Sequence, residues 1–428
     1  MTRLSPFDTR ALCAVLVLLA ASVLPASAQQ TTRGTFALTN ARIETVANGT
    51  IERGTVLIRD GLIAEVGANV RLPDTLDAVI DCTDHTIYPG MIDAGTTLGI
   101  REVGSLPESQ DVNEVGELAP QMKALTAVNP NSILIPVTRV AGITTALTVP
   151  SGGLMPGEAA LVDLFGYTPE QMYADFSALV IEFPRSGKRG WWDRRSDDEI
   201  EKAYKNAVKK LDEAWDAALA YARIDSAYAA NPDAERLPEY VPAIQAMLPA
   251  VRGEMPVLIQ ANTAGQLRAA VKWAGEREIE DAILSGCAEG WRVADELAEA
   301  GRPCIVGPVL STPTRSSDRY DKPYANAGLL HAAGVKIALR TNDMMGNFRN
   351  LPFHAGFAAA YGLGKDAALR AVTLGPAEIF GLGDQLGSIE AGKKANLFVA
   401  NGDPFEPKTD VVHVFIDGFL VPMTSLQQ

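Results

Sequence analysis

The chain is poor in histidine. Its 428 residues contain four: His85, His331, His354 and His413. A metal centre assembled from imidazoles on several strands has little to draw on. Cysteine is equally scarce, with Cys13, Cys82, Cys287 and Cys304, and this excludes a disulfide scaffold. Positive charge is in deficit: 38 Lys and Arg stand against 52 Asp and Glu, for a formal net charge of −14. Phosphate backbones are bound by basic stripes, so no nucleic-acid partner is expected. Past residue 28 no run of 18 apolar residues occurs, and no membrane span is expected once the N-terminal segment is removed.

What is present begins with a targeting pattern. Arg3 and Arg10 supply a positive start, Ala11 to Leu24 an apolar stretch too short for a comfortable span, and Ala26-Ser27-Ala28 a small-residue cleavage site. Residues 1–28 are therefore expected to be a signal peptide cut before Gln29, and the mature protein to be periplasmic or secreted. Cys13 would leave with it, so that three cysteines remain, read as buried hydrophobes.

From Phe36 to Ile80 short strands alternate with tight turns at Asn48-Gly49 and Asp60-Gly61. After Pro89-Gly90 the pattern changes. Apolar runs at Met91 to Ala94, Ile143 to Val149, Ala178 to Phe183, Val257 to Ala261, Ala282 to Leu284, Pro303 to Val309 and Val335 to Leu339 are separated by helical stretches. Such runs predict a parallel sheet covered on both faces. A helix over Asp197 to Arg223 starts with the capping pair Ser196 and Glu199. Helices over Ala288 to Ala300 and Asn326 to Ala333 each stop at a glycine. From Leu386 the strand pattern returns, so the two chain ends are expected to pair.

Several segments, taken in order, resemble the amidohydrolase superfamily, most closely its imidazolonepropionase-like members. Thr86 to Ala94 is similar to the entry into the first barrel strand, Gly334 to Asp343 to the last strand, Ala367 to Gly381 to the closing helices, and Leu386 to Val399 to the return into the β-domain. The resemblance implies an α/β fold: a (β/α)8-type TIM barrel over 91–383, plus a small composite β-sandwich from 29–90 and 384–428. Only seven barrel strands are clear. The fourth is missing or hidden near Glu158 to Asp163 or Pro238 to Met247.

The resemblance also implies one or two divalent metals at the C-terminal strand ends. The family's first strand ends in His-x-His; the matching positions here are Gly95 and Thr97. The fifth and sixth strands usually end in His; here they reach Gln260 and Ser285. Where the eighth offers Asp, Asn342 stands, with Asp343 one residue on. No metal ligand set and no cofactor are therefore expected.

The candidate pocket comprises Asp93, Thr97, Gln260, Asn262, Ser285, Asn342, Asp343 and His354. Its hydrogen-bonding groups suit a small neutral polar ligand. Asp343 is either a displaced copy of the family's Asp or a loop carboxylate; His354 is either a pocket residue or packed in a helix. The acidic stretch of Glu102, Glu108, Asp111, Glu114 and Glu117 either lines the mouth, as a ligand or cation site, or is solvated. Arg185, Lys188, Arg189, Arg194 and Arg195, with Trp191 and Trp192, either hold an anion or partner or pair with nearby acids.

Two functions follow. One is an exported family member without the usual metal ligands that binds a small molecule or a partner. The other is an active hydrolase of amide or imide carbon–nitrogen bonds with an atypical, oxygen-rich site, in which zinc would be the metal. The sequence carries no signal for an oligomeric state.

Overall fold

The computed structural model describes residues 33–423, apart from 189, 191, 234, 235, 237, 344 and 345. The expected signal segment lies outside the described residues. Five strands open the described chain: β1 (Phe36–Glu44), β2 (Thr50–Arg59), β3 (Leu62–Gly67), β4 (Ala78–Asp81) and β5 (Thr86–Pro89). The β2–β3 turn puts Asp60 and Gly61 at positive φ, 53° and 84°, the pair of left-handed residues that a type I′ hairpin requires.

Eight barrel strands follow: β6 (Met91–Thr96), β7 (Ile143–Thr148), β8 (Gly157–Asp163), β9 (Tyr173–Glu182), β10 (Val257–Ala261), β11 (Ala282–Gly286), β12 (Cys304–Val306) and β13 (Ile337–Leu339). They form one sheet in sequence order, β6 to β13. All seven strands expected from the apolar runs are present. The hidden one is β8, in the first of the two segments considered, and it stands third in the barrel, not fourth. The second segment overlaps a helix, Pro242–Val251. β8 runs antiparallel to both neighbours. The short link from Val149 to Pro156 explains the reversal, since a parallel return needs a crossover of a dozen or more residues.

The last strands, β14 (Leu397–Ala400), β15 (Val411–Ile416) and β16 (Phe419–Val421), join the first five. β14 pairs antiparallel with β5, Leu397 opposite Pro89 and Phe398 opposite Tyr88. The chain ends do pair, as one continuous eight-stranded sheet. The long helix α1 (Asp197–Ala230) begins with the expected capping box: Glu199 N donates to Ser196 Oγ, and Ser196 N to Glu199 Oε2. Its buried stripe includes Ile200, Leu211 and Trp215. Among the described residues no helix is long and apolar enough to cross a membrane.

The barrel interior is apolar in its middle, with Ile92, Ala94, Leu147, Leu161, Val180, Leu258, Ile283, Ile305 and Ala338. Beneath this layer lies a polar knot. Asp163 of β8 accepts hydrogen bonds from Thr145 Oγ1 of β7 at 2.8 Å and from Asn396 Nδ2 at 2.7 Å. Asn396 also accepts from Asp417 N at 2.7 Å, so one amide ties the terminal sheet to the barrel floor.

Burial pushes the Asp163 carboxyl up to about 6. The folded chain therefore holds this proton more tightly than the unfolded chain. Its stabilising contribution is complete below the unfolded value near 4 and is lost as pH rises through about 6. Asp163→Asn removes the charge but keeps an acceptor. It is expected to raise stability at pH 7 by up to about 3 kcal/mol, with the gain vanishing by about pH 4. Denaturant melts across this range check it; a pH-independent difference would contradict the burial argument.

Candidate functional site

Residues facing the barrel interior recur at every second position of a strand. Leu258 of β10 is inner, so Gln260 is next on that face. Ile283 is followed in the same way by Ser285, Val180 by Glu182, Ile305 by Gly307 and Ala338 by Arg340. The C-terminal ends of five adjacent strands thus place Glu182, Gln260, Ser285, Gly307 and Arg340 in one layer at the mouth, where barrel sites form.

Arg340 is the hub of that layer. Its Nη1 donates to Gln260 Oε1 at 3.0 Å and to Ser285 Oγ at 2.8 Å; its Nε donates to the Gly307 carbonyl at 3.3 Å. The residue is only 2% exposed. Burial lowers its pKa to about 10, and it stays charged at neutral pH. Small neighbours make room for it. A Cβ on Gly95 would stand 2.9 Å from Arg340 Cδ, and one on Gly307 2.2 Å from the Arg340 carbonyl oxygen. Gly95 needs to be glycine because the arginine side chain lies against it, and Gly307 because the backbone carbonyl of residue 340 does.

Asp93 lies on the opposite face of β6 from Ile92 and Ala94, at the seam where β13 meets β6. Its Oδ1 accepts from Thr341 N at 3.0 Å and Gly95 N at 3.2 Å, and its Oδ2 from Thr341 Oγ1 at 2.5 Å. Burial outweighs these bonds and pushes its carboxyl up to about 6. Asn342, at φ 45°, donates from its backbone N to the Gly95 carbonyl at 3.0 Å, continuing the seam. Asp93 therefore closes the barrel.

The other expected pocket residues separate. Thr97 Oγ1 donates to the Asp343 carbonyl at 3.4 Å. Asp343 Oδ1 accepts from Asn347 N at 2.9 Å, the loop-carboxylate alternative. His354 is buried, and its Nδ1 accepts from Val309 N at 3.1 Å. Burial lowers its pKa to about 4, which keeps that nitrogen free to accept. His354 is the packed helix residue of the two alternatives. Asn262 is exposed, and its Oδ1 lies 2.3 Å from where a Cβ on Gly286 would stand.

Of the flanking stretches, Glu117 pairs with Lys210, and Glu102 accepts from Ser132 Oγ at 2.9 Å. Arg195 forms a two-pronged pair with Asp193, as expected of a stretch that pairs with nearby acids, whereas residues 189 and 191 lie outside the described residues. Arg340 and Glu182 were missed at the sequence level. The signal that finds them is the period-two step beyond each inner apolar residue.

The divalent metal that the resemblance implies does not fit these residues. Gly95 offers no donor, Gln260 and Ser285 are engaged by a guanidinium, and a dication would meet that positive charge at close range. Among the described residues no three of His, Cys, Asp and Glu converge as a ligand group.

A sequence profile described as the amidohydrolase family matches residues 142–421. The amidohydrolase tasK of Hapsidospora irregularis is 24% identical over 397 residues, covering 85% of this chain; the chain spans 39% of that relative's length. A dihydroorotase from Mycobacterium tuberculosis is 43% identical over 77 residues, which cover 18% of this chain and 17% of the relative. The crystal structure of an amidohydrolase from Thermotoga maritima MSB8 superposes with a TM-score of 0.79 at 25% identity, covering 90% of this chain and 99% of that one.

If Arg340 organises the mouth, its partners are energetically coupled. Arg340→Met is expected to cost about 2–4 kcal/mol and Gln260→Leu about 1–3 kcal/mol, because each leaves buried polar atoms unpaired. The double variant should cost less than the sum by roughly 1 kcal/mol or more. Urea unfolding of all four proteins tests this; strictly additive losses would rule out the coupling.

Proposed function

The chain belongs to the amidohydrolase family, and we propose that within it this protein is an exported small-molecule binder that works without a metal. The observation that carries this reading is the Arg340 guanidinium, bonded to Gln260 and Ser285, the two positions that match the family's metal-binding histidines. A guanidinium has donors only and stays protonated in proteins. It orients and polarises a ligand oxygen. It does not turn a bound water into hydroxide, the task the family metal performs. What remains is a charged, hydrogen-bonding layer at the mouth of a rigid barrel, suited to holding a polar molecule.

A second reading, hydrolysis of an amide or imide carbon–nitrogen bond, is favoured by one observation: the Thermotoga maritima amidohydrolase shares the fold over nearly its full length. Zinc separates the two. After dialysis the purified protein is expected to hold less than about half a zinc per chain, since a zinc site needs three or four good ligands. Stoichiometric zinc that survives a chelator would favour the hydrolase. Export is tested separately: N-terminal mass analysis of the exported protein should begin at Gln29, and an intact Met1 would contradict it.

A further inference from the structure

Arg340 has one donor group left over. Its Nε and Nη1 are engaged, but among the described residues Nη2 has no acceptor, and it is not among the buried atoms sealed from solvent. No carboxylate of the described residues lies within 4.0 Å of the guanidinium. Asp93 and Glu182 act on it only from farther away. Asp93 is occupied by Thr341 and Gly95 at the seam, and Glu182 Oε1 accepts from Gly152 N at 2.6 Å. A cation this deeply buried ordinarily has a carboxylate in contact.

The free donor lies beside Gly286 and Asn262. Gly286 has φ 96°, and a Cβ there would come within 3.2 Å of Arg340 Nη2 and 2.3 Å of Asn262 Oδ1. Without that Cβ the guanidinium edge and the Asn262 amide converge over bare backbone. Asn262 is exposed, and its side chain makes no hydrogen bond among the described residues.

Resting on the binding role proposed above, we infer that the ligand carries a carboxylate, which docks on Arg340 Nη2 with the Asn262 amide beside it over Gly286. The strand-end residues alone suit a neutral ligand; Arg340 adds a cation that no carboxylate of the described residues touches. A carboxylate makes a charge-assisted bond with that cation, roughly twice as strong as the bond a neutral carbonyl makes. One oxygen takes Nη2, and the other takes Asn262 Nδ2 once the exposed amide turns that group inward in place of the Oδ1 that stands over Gly286.

The probes are sodium acetate and its neutral counterpart acetamide, with sodium chloride matching ionic strength. Binding is read by thermal shift and by titration calorimetry on the full mature chain. Acetate should raise the melting temperature saturably, whereas acetamide and chloride should not. Asn262→Leu changes an exposed side chain outside the Arg340 hydrogen bonds, so it should fold normally and weaken acetate about five- to tenfold. Arg340→Gln should abolish the response; should it not fold, Asn262→Leu still decides. Acetamide binding as well as acetate, or an Asn262→Leu response equal to wild type, overturns the carboxylate assignment while leaving a binding role standing. Saturation by neither probe overturns the assignment too, and stoichiometric chelator-resistant zinc removes the reading beneath it.

Discussion

A buried guanidinium organises the barrel mouth. Desolvating a cation costs several kcal/mol unless surrounding groups compensate. Arg340 is compensated by a side-chain amide, a hydroxyl and a backbone carbonyl from three successive strands. These bonds need the strand ends at one level, which the parallel registers supply: Gln260 pairs with Ser285, and Val306 with Leu339. The same demand runs outward into composition. Gly95, Gly286 and Gly307 all border the arginine, and a side chain on any of them would displace it or its neighbours.

Two buried acids fasten the barrel, with different tasks. At the seam, Asp93 joins β6 to the chain leaving β13, where regular ladder pairing gives way to side-chain bonds. At the floor, Asp163 receives Thr145 and Asn396, fastening the terminal sheet to the barrel. Both carboxyls are pushed up by burial because their partners are neutral donors. Arg340 is the fully buried cation of the same system, and it touches neither acid. Among the described residues these three charges are kept apart and met by dipoles, with only Arg340 Nη2 left over.

Much of this was legible in the residues. Seven apolar runs marked seven strands because buried parallel strands carry little else. β8 was harder: Gly-Glu-Ala-Ala-Leu-Val-Asp has no clean alternation, and nothing in a strand's composition reports its direction. The pairing of the chain ends was readable from matching turn grammar, but its form as one sheet depends on β5 meeting β14, a contact across some 300 residues. At the site, Gln260, Ser285 and Gly95 stood out as departures from a histidine pattern. Arg340 did not, because no position in that pattern asks for arginine. Three glycines at separate strand ends, facing one arginine on another, are the trace it leaves.

A tethered arginine stands at the strand ends where the resemblance implies a metal, and the two groups differ in what they can do there. A bound dication accepts lone pairs, exchanges ligands and acidifies water. A guanidinium accepts nothing, holds its protons and presents them in a fixed plane. It needs no ligand set, so imidazoles at Gly95, Gln260 and Ser285 would have no work there, and at Gly95 an imidazole would have no space. On the binding reading proposed above, the directional part of the metal's role survives, because positive charge still stands at the strand ends and draws a ligand oxygen toward Arg340. On the same reading the reactive part does not. The amidohydrolase barrel supplies the rigid frame either way, and the proposed holding role rests on this one side chain and the small residues that admit it.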